Sequence, residues 1–160
     1  VSPVWFLEKV EWVTLVFFAG LFIVVGALEH TGVFGQVANW LHSLFGGDIK
    51  KGILIIGFFS AIISGLVDNI PFTISMAYVL KGLQATLGPG MDPLWWALSL
   101  GACLGGNLTL IGASANVVTA DLATRAGHPI KFSTFLLYGT PVSAITVTLS
   151  LLLFYFFQPG

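Results

Sequence analysis

GLVDNIPFT, residues 65–73, sets an acid, an amide and a proline between two oily runs, IKKGILIIGFFSAIIS (49–64) and ISMAYVL (74–80). A second polar interruption, GGNLTLIGASAN (105–116), breaks the next apolar stretch with glycines, amides and hydroxyls. What these breaks mean depends on the solvent around them. Of the 160 residues, 56% are hydrophobic and only 8% are charged, where a soluble domain carries about 25% charged residues. With a mean hydropathy of +0.96, the composition places the chain in a lipid bilayer. Backbone groups facing lipid must be paired, so irregular segments at membrane depth survive only against protein or a water-filled cavity. Two such breaks in one short chain therefore predict a site.

The flanking pattern predicts an all-α membrane protein. EWVTLVFFAGLFIVVGALEH (11–30) is uncharged from Trp12 to Leu28, long enough for one crossing over 11–29. In TGVFGQVANWLHSLFGG, Val33, Phe34, Val37, Trp40, Leu41, Leu44 and Phe45 recur at helical steps opposite Gln36, Asn39 and His42, which predicts an interfacial helix over 32–46, the alternative being a short crossing packed in a bundle. The arms 52–67 and 72–83 meet at Asp68–Pro71. The second arm is too short for a core about 30 Å thick, so 52–83 is read as a re-entrant hairpin. TLGPGMDP (86–93) is a loop. Residues 94–126 form a broken helix, with halves at 94–105 and 114–126 around an unwound 106–113. A last crossing spans 132–157, with a kink at Gly139–Pro141.

Trp5, Trp12, Trp40, Trp95 and Trp96 stand near the ends of apolar runs, as interfacial tryptophans do. Lys9, Arg125 and Lys131 fall on one predicted side and Lys50, Lys51 and Lys81 on the other, which gives no orienting bias. The net charge of −1 excludes a nucleic-acid footprint. Cys103 is the single cysteine and reads as a packing residue. No nucleophile–base set, metal-ligand cluster or phosphate loop suggests enzyme chemistry, and no cofactor is expected. The first residues, VSPVW, lack an initiator Met and a signal-peptide pattern, so a cut-down or processed piece is expected.

Each break exposes helix ends. The half-helix ending at Gly105–Gly106 offers carbonyls, which favour a cation. The helices expected after Pro71 and from Ser114 offer N–H groups, which favour an anion. Asn69, Asn107 and Asn116 supply amide oxygens, and Thr109 and Ser114 hydroxyls. With carbonyls near Ile70, Gly106 and Gly112, these are the donors for a hard cation such as Na⁺. Asp68 is the ionisable group expected deep in the membrane, where such residues are costly and functional by default. An acid there holds Na⁺ when ionised and takes a proton when desolvation favours its neutral form. The alternative is that Asp68 only caps the second arm. For the 105–116 block, the alternative is that its small and amide residues only let helices approach and hydrogen-bond. Thr73, Ala113 and Ser114 are the candidate substrate contacts, with Ser114 also a candidate helix cap. Asp121 either lines a path or is solvated near a helix end.

VEWVTLVFF, SGLVDNIPFT and LGACLGGNLTLIGASANVV resemble the C-terminal repeat of the arsenite-permease/NhaD-like branch of the ion transporter superfamily, nearest its melanosomal P-protein group and the prokaryotic homologues of that group. The resemblance implies one inverted-repeat unit of an elevator-type transporter, with a scaffold part, a re-entrant hairpin and a discontinuous helix. In related divalent-anion/sodium symporters the hairpin tip carries Ser-Asn-Thr, where this chain has Asp68, Asn69 and Ile70. The Gly-Thr-Pro-x-Asn loop corresponds to Gly112, Ala113, Ser114, Ala115 and Asn116. Two hydroxyl donors of a dicarboxylate site are thus replaced and a cation site is kept, which implies Na⁺/H⁺ exchange. Other readings are an arsenite or small-anion permease, or an assembly module inactive without a second repeat. The resemblance implies a prokaryotic cytoplasmic membrane. It also implies a partner, either a homodimeric copy in opposite orientation or a second repeat-bearing segment.

Overall fold

The computed structural model describes residues 10 and 12–158. Trp5, Lys9 and the start of the first expected crossing at residue 11 lie outside them. Seven α-helices follow in order, with no strand among the described residues: α1 (Trp12–His30), α2 (Val33–Phe45), α3 (Ile49–Leu66), α4 (Asn69–Leu87), α5 (Asp92–Gly105), α6 (Ser114–Arg125) and α7 (Phe132–Phe157). A short 3₁₀ turn, Gly106–Leu108, follows α5. Among the described residues α3 and α7 are long and apolar enough to cross a membrane. The outer face of α7, including Leu137, Val142, Ile145, Leu149, Leu153 and Phe156, is exposed apolar surface.

Local signals set the helix limits. Gly46 closes α2 at φ 61°, a conformation open to glycine at no steric cost. Asp48 then starts α3, its carboxylate accepting from the N–H groups of Lys50 and Lys51 at 3.0 and 3.2 Å. Gly88 (φ 75°) and Gly90 (φ 103°) separate α4 from α5, and Pro93 sits in the first turn of α5, where its missing N–H costs nothing.

The centre of the bundle is the pair α3 and α5, which run parallel. Gly52 faces Leu94, Gly57 faces Gly101, Ala61 faces Gly105 and Gly65 faces Leu108. The approach is backbone to backbone. A Cβ on Gly101 would lie 2.2 Å from the carbonyl oxygen of Gly57, and one on Gly105 would lie 2.3 Å from the Cα of Ala61. Small residues four apart on both helices, Gly57, Ala61 and Gly65 against Gly101 and Gly105, permit this contact. At Gly105 the sequence alternative of close helix approach thus describes the packing. Helix α7 runs antiparallel on the pair, with Leu151 seated against Gly57. A cluster of Leu41, Phe45, Ile53, Ile56, Met76, Leu80, Leu83, Leu94 and Leu98 joins α2, α3, α4 and α5.

Two elements differ from the sequence expectation. The second arm, read as 72–83, is the 19-residue helix α4, Asn69–Leu87, about 28 Å long at 1.5 Å per residue. It starts earlier because the Asp68 carboxylate accepts from the N–H of Ile70, which places Pro71 inside the first turn. It ends later because Lys81 and Gln84 are good helix formers. Length alone therefore does not hold this arm to mid-depth. The two arms also splay: α3 packs chiefly on α5, and α4 chiefly on α2 and α5. The apolar stripe of α2 is split as well. Leu41 and Phe45 are buried in the bundle while Trp40 and Leu44 stay exposed, and Phe34 stacks on Tyr78 of α4 at 5.5 Å. Protein covers half of a face read from sequence as lipid-facing.

Candidate functional site

Because α3 and α5 run parallel in register, both breaks arrive at one end of the bundle. Two helices end there, α3 at Leu66 and α5 at Gly105, and two begin, α4 at Asn69 and α6 at Ser114. Side chains and backbone tie the four ends together. The Asn69 N–H donates to the carbonyl of Gly112 at 3.1 Å. The Thr109 hydroxyl, only 5% exposed, donates to the carbonyl of Gly65 at 2.6 Å. The Asn116 amide donates to the carbonyls of Gly106 and Thr109 at 3.0 and 3.1 Å. Gly112 is needed at this crossing, since a Cβ there would lie 2.6 Å from the carbonyl oxygen of Gly106.

Asp68 stands where the second pair of helices begins. One carboxylate oxygen caps α4 through the Ile70 N–H at 3.0 Å, and the other accepts a hydrogen bond from the Ser114 hydroxyl. Capping and a site role are thus not exclusive for this residue. Ser114 is the first residue of α6 and not its cap; the cap position is Ala113, which makes no side-chain cap bond. The hydroxyl expected to accept from the backbone donates to Asp68 instead. The carboxylate faces the N-terminal ends of α4 and α6, where helix dipoles favour negative charge.

The structure brings together Asp68, Asn69, Gly106, Thr109, Gly112, Ala113, Ser114 and Asn116. The Asn69 amide nitrogen lies 3.5 Å from where a Cβ on Gly106 would stand. Thr73 sits one turn down α4, its hydroxyl donating to the carbonyl of Asn69 at 2.7 Å. Two expected contributors stand apart. Asn107 is exposed on the 3₁₀ turn, with no side-chain hydrogen bond among the described residues, and its carbonyl lies against Gly139 of α7. Ile70 lies in the first turn of α4, where helical carbonyls point along the chain toward the C-terminus. Its carbonyl is therefore aimed away from the junction.

The carbonyls expected to be bare are occupied. Ser64 donates to Ala102 at 2.7 Å, Ser143 to Leu104 at 2.7 Å and Thr140 to Leu108 at 3.3 Å, besides the bonds to Gly65, Gly106 and Gly112. A carbonyl oxygen has two lone pairs, so these atoms can still ligate, but as hydrogen-bonded ligands. With its nitrogen committed to two carbonyls, Asn116 has its amide oxygen left for a ligand. Sequence reasoning passed over Ser64, Thr140 and Ser143; hydroxyls inside apolar helices were the available signal. Chemically the junction offers one carboxylate, two amide oxygens, hydroxyl lone pairs and an uncapped α6 N-terminus. That set suits a hard monovalent cation, and the uncapped helix end favours an anionic group.

Three comparisons bear on this arrangement. The family model described as citrate transporter matches residues 2–101. An uncharacterized transporter of Mycobacterium tuberculosis is 50% identical over 147 residues, covering 91% of this chain and 34% of its own length. An uncharacterized transporter of Synechocystis is 37% identical over 162 residues, covering 91% and 36%. The human P protein is 40% identical over 152 residues, covering 91% of this chain and 18% of its own. The chain spans about a third of the length of the bacterial relatives it matches. No solved structure matches it.

Proposed function

We propose, for a chain that belongs to the citrate transporter family and so to a family of membrane transporters and not of enzymes, that it forms one repeat of an ion-coupled secondary transporter with its coupling ion at the Asp68 junction. The observation that carries this reading is the meeting of two separate helix breaks around one carboxylate. Asp68, Asn69, Thr109 and Asn116 are the cation ligands in this reading, and Ser114 orients Asp68 through its hydroxyl. Na⁺ is the expected ion, because the donors are all oxygen and carry a single negative charge. Asp68 alternates between a carboxylate holding Na⁺ and a carboxylic acid holding a proton, which makes the repeat one half of a Na⁺/H⁺ exchanger. Helix α6 contributes no buried residue, which supports a second repeat, from a further segment or a second copy, closing over it.

The test is flux in liposomes with the protein reconstituted alongside its complementary half. Asp68→Asn is expected to abolish Na⁺-dependent proton movement, and undiminished exchange would remove the assignment. A second reading has support from the family match and from the uncapped N-terminus of α6: a carboxylate anion travels with the cation and rests its charge at Ala113 and Ser114. Na⁺-dependent uptake of labelled citrate, without counterflow of protons, would favour it.

A further inference from the structure

Helix α5 turns outward a face unlike that of α7. Its exposed residues are Asp92, Trp96, Ser99 and Cys103, and Asn107 continues them on the 3₁₀ turn. At 3.6 residues per turn, the four helical positions project within about 60° of one another. None of them is aliphatic, whereas α7 exposes Leu137, Val142, Ile145, Leu149 and Leu153. Depth makes the contrast matter. Trp95 and Trp96 mark the membrane–water boundary, where indole rings settle. At 1.5 Å per residue from Trp96, Cys103 lies about 10 Å deeper and Asn107 about 16 Å, near the middle of a core about 30 Å thick. The Ser99 hydroxyl and the Asn107 amide make no hydrogen bond among the described residues, while Ser64, Thr109 and Ser143, facing into the bundle, each donate to a carbonyl. An unpaired amide at that depth is costly against lipid.

We propose that this face of α5 is one wall of a water-filled cleft through which the transported solute reaches the junction from the Trp95–Trp96 side. This rests on the reading of the junction as the transport site and adds the side of approach. At the boundary the face opens into a recess of 370 Å³ lined by Asp92, Trp95, Trp96 and Ser99. At its inner end Asn107 adjoins Gly106, whose carbonyl Asn116 holds in the junction. The other flanks of α5 are closed, by backbone contact with α3 at Gly101 and Gly105 and by the Ser143 bond from α7. Cys103, read from sequence as a packing residue, is exposed on the remaining flank. Water answers the open recess, the free hydroxyl and the free amide together.

Cys103 is the single cysteine of the chain and reports on the cleft directly, because a thiol reacts with a maleimide as its thiolate, a charged form that needs water. The experiment is labelling in proteoliposomes, with a cysteine-free complementary half. A charged, membrane-impermeant maleimide is supplied on both sides, and a lipid-soluble maleimide is used in parallel. Cys103 is expected to take the charged reagent at least about tenfold faster than Leu149→Cys made in a Cys103→Ser background. Modification is expected to lower flux several-fold in the parent and to leave treated Cys103→Ser unchanged. Reaction with the lipid-soluble reagent alone places this face against lipid, and reaction with neither places it under a packed helix; either result overturns the proposal. Labelling that leaves flux unchanged also overturns it, since the face is then wet but off the route. Flux surviving in Asp68→Asn removes the reading of Asp68 alone, because the labelling of Cys103 is scored without it.

Discussion

Asn116 is where the ligand and bracing roles can be separated, because they predict opposite responses to one charge. Its amide nitrogen donates at 3.0 Å to Gly106 and at 3.1 Å to Thr109, holding the unwound segment against the start of α6. Asn116→Asp keeps the shape and replaces that donor with an oxygen that only accepts. Two hydrogen bonds, each worth about 0.5–1.5 kcal/mol net, are lost. The new carboxylate also faces two carbonyl oxygens, so Asp is expected to cost more than Ala at this position. Taking about 2 kcal/mol for the two bonds, the braced junction loses roughly 30-fold in population against its opened form. If Asn116 were only a ligand, the added negative oxygen would tighten Na⁺ binding and leave stability alone. The assay is unfolding by denaturing detergent followed through tryptophan fluorescence, in NaCl and in choline chloride at equal ionic strength. The expected order of stability is parent, then Asn116→Ala, then Asn116→Asp, with the last needing more Na⁺ for protection. A variant Asn116→Asp as stable as the parent and protected at lower Na⁺ would refute the bracing argument.

Other positions test the frame behind the junction. Gly101→Ala drives a Cβ to 2.2 Å from the backbone oxygen of Gly57 and is expected to cost about 3 kcal/mol, the upper part of the overpacking range. Gly35→Ala, with nothing within 4 Å of the new Cβ, should gain about 0.4–1 kcal/mol; equal effects in the same unfolding assay would contradict the close α3–α5 contact. Thr109→Val strips the donor from the Gly65 carbonyl at constant volume and should cost about 1–2 kcal/mol. Thr109→Ser retains the donor and should cost less, and the reverse order would show that packing and not the hydrogen bond matters at this site.

The existence of the junction is legible in the sequence because its signals are local and rare. Asp68, Asn69 and Pro71 inside an apolar run, and the glycines and amides of 105–116, admit few readings in a bilayer. What answers the exposed carbonyls was not legible. The donor to Gly65 is Thr109, 44 residues away, and the donor to Leu104 is Ser143, 39 residues away. No periodicity within one helix announces such partners. The parallel pairing of α3 and α5 left a signal that could have been read, the four-residue spacing of Gly57, Ala61 and Gly65 and of Gly101 and Gly105. The arm expected at 72–83 is shorter than α4 because proline suits a first helical position, whereas the capping carboxylate of Asp68 starts the helix at Asn69.

The way the junction is joined to the rest of the molecule divides it mechanically. Helices α3 and α5 are fused by backbone contact, with Ser64 and Leu151 pinned across them, so the two carbonyl ends form one rigid floor. Helix α6 is different: it buries no residue, and it is tied to the floor through Asp68–Ser114 and the Asn116 amide. An element held by a few polar bonds, with no apolar burial, lies at the low end of local stability. In the proposed reading, the Asp68 carboxylate that accepts from Ser114 also faces the ion, whereas Asn116 bonds through its nitrogen and would ligate through its oxygen. A cation drawing charge from Asp68 would weaken the hold on Ser114. On the proposed reading, ion occupancy and the seating of α6 would therefore be coupled through Asp68, while the Asn116 nitrogen keeps its bonds to Gly106 and Thr109.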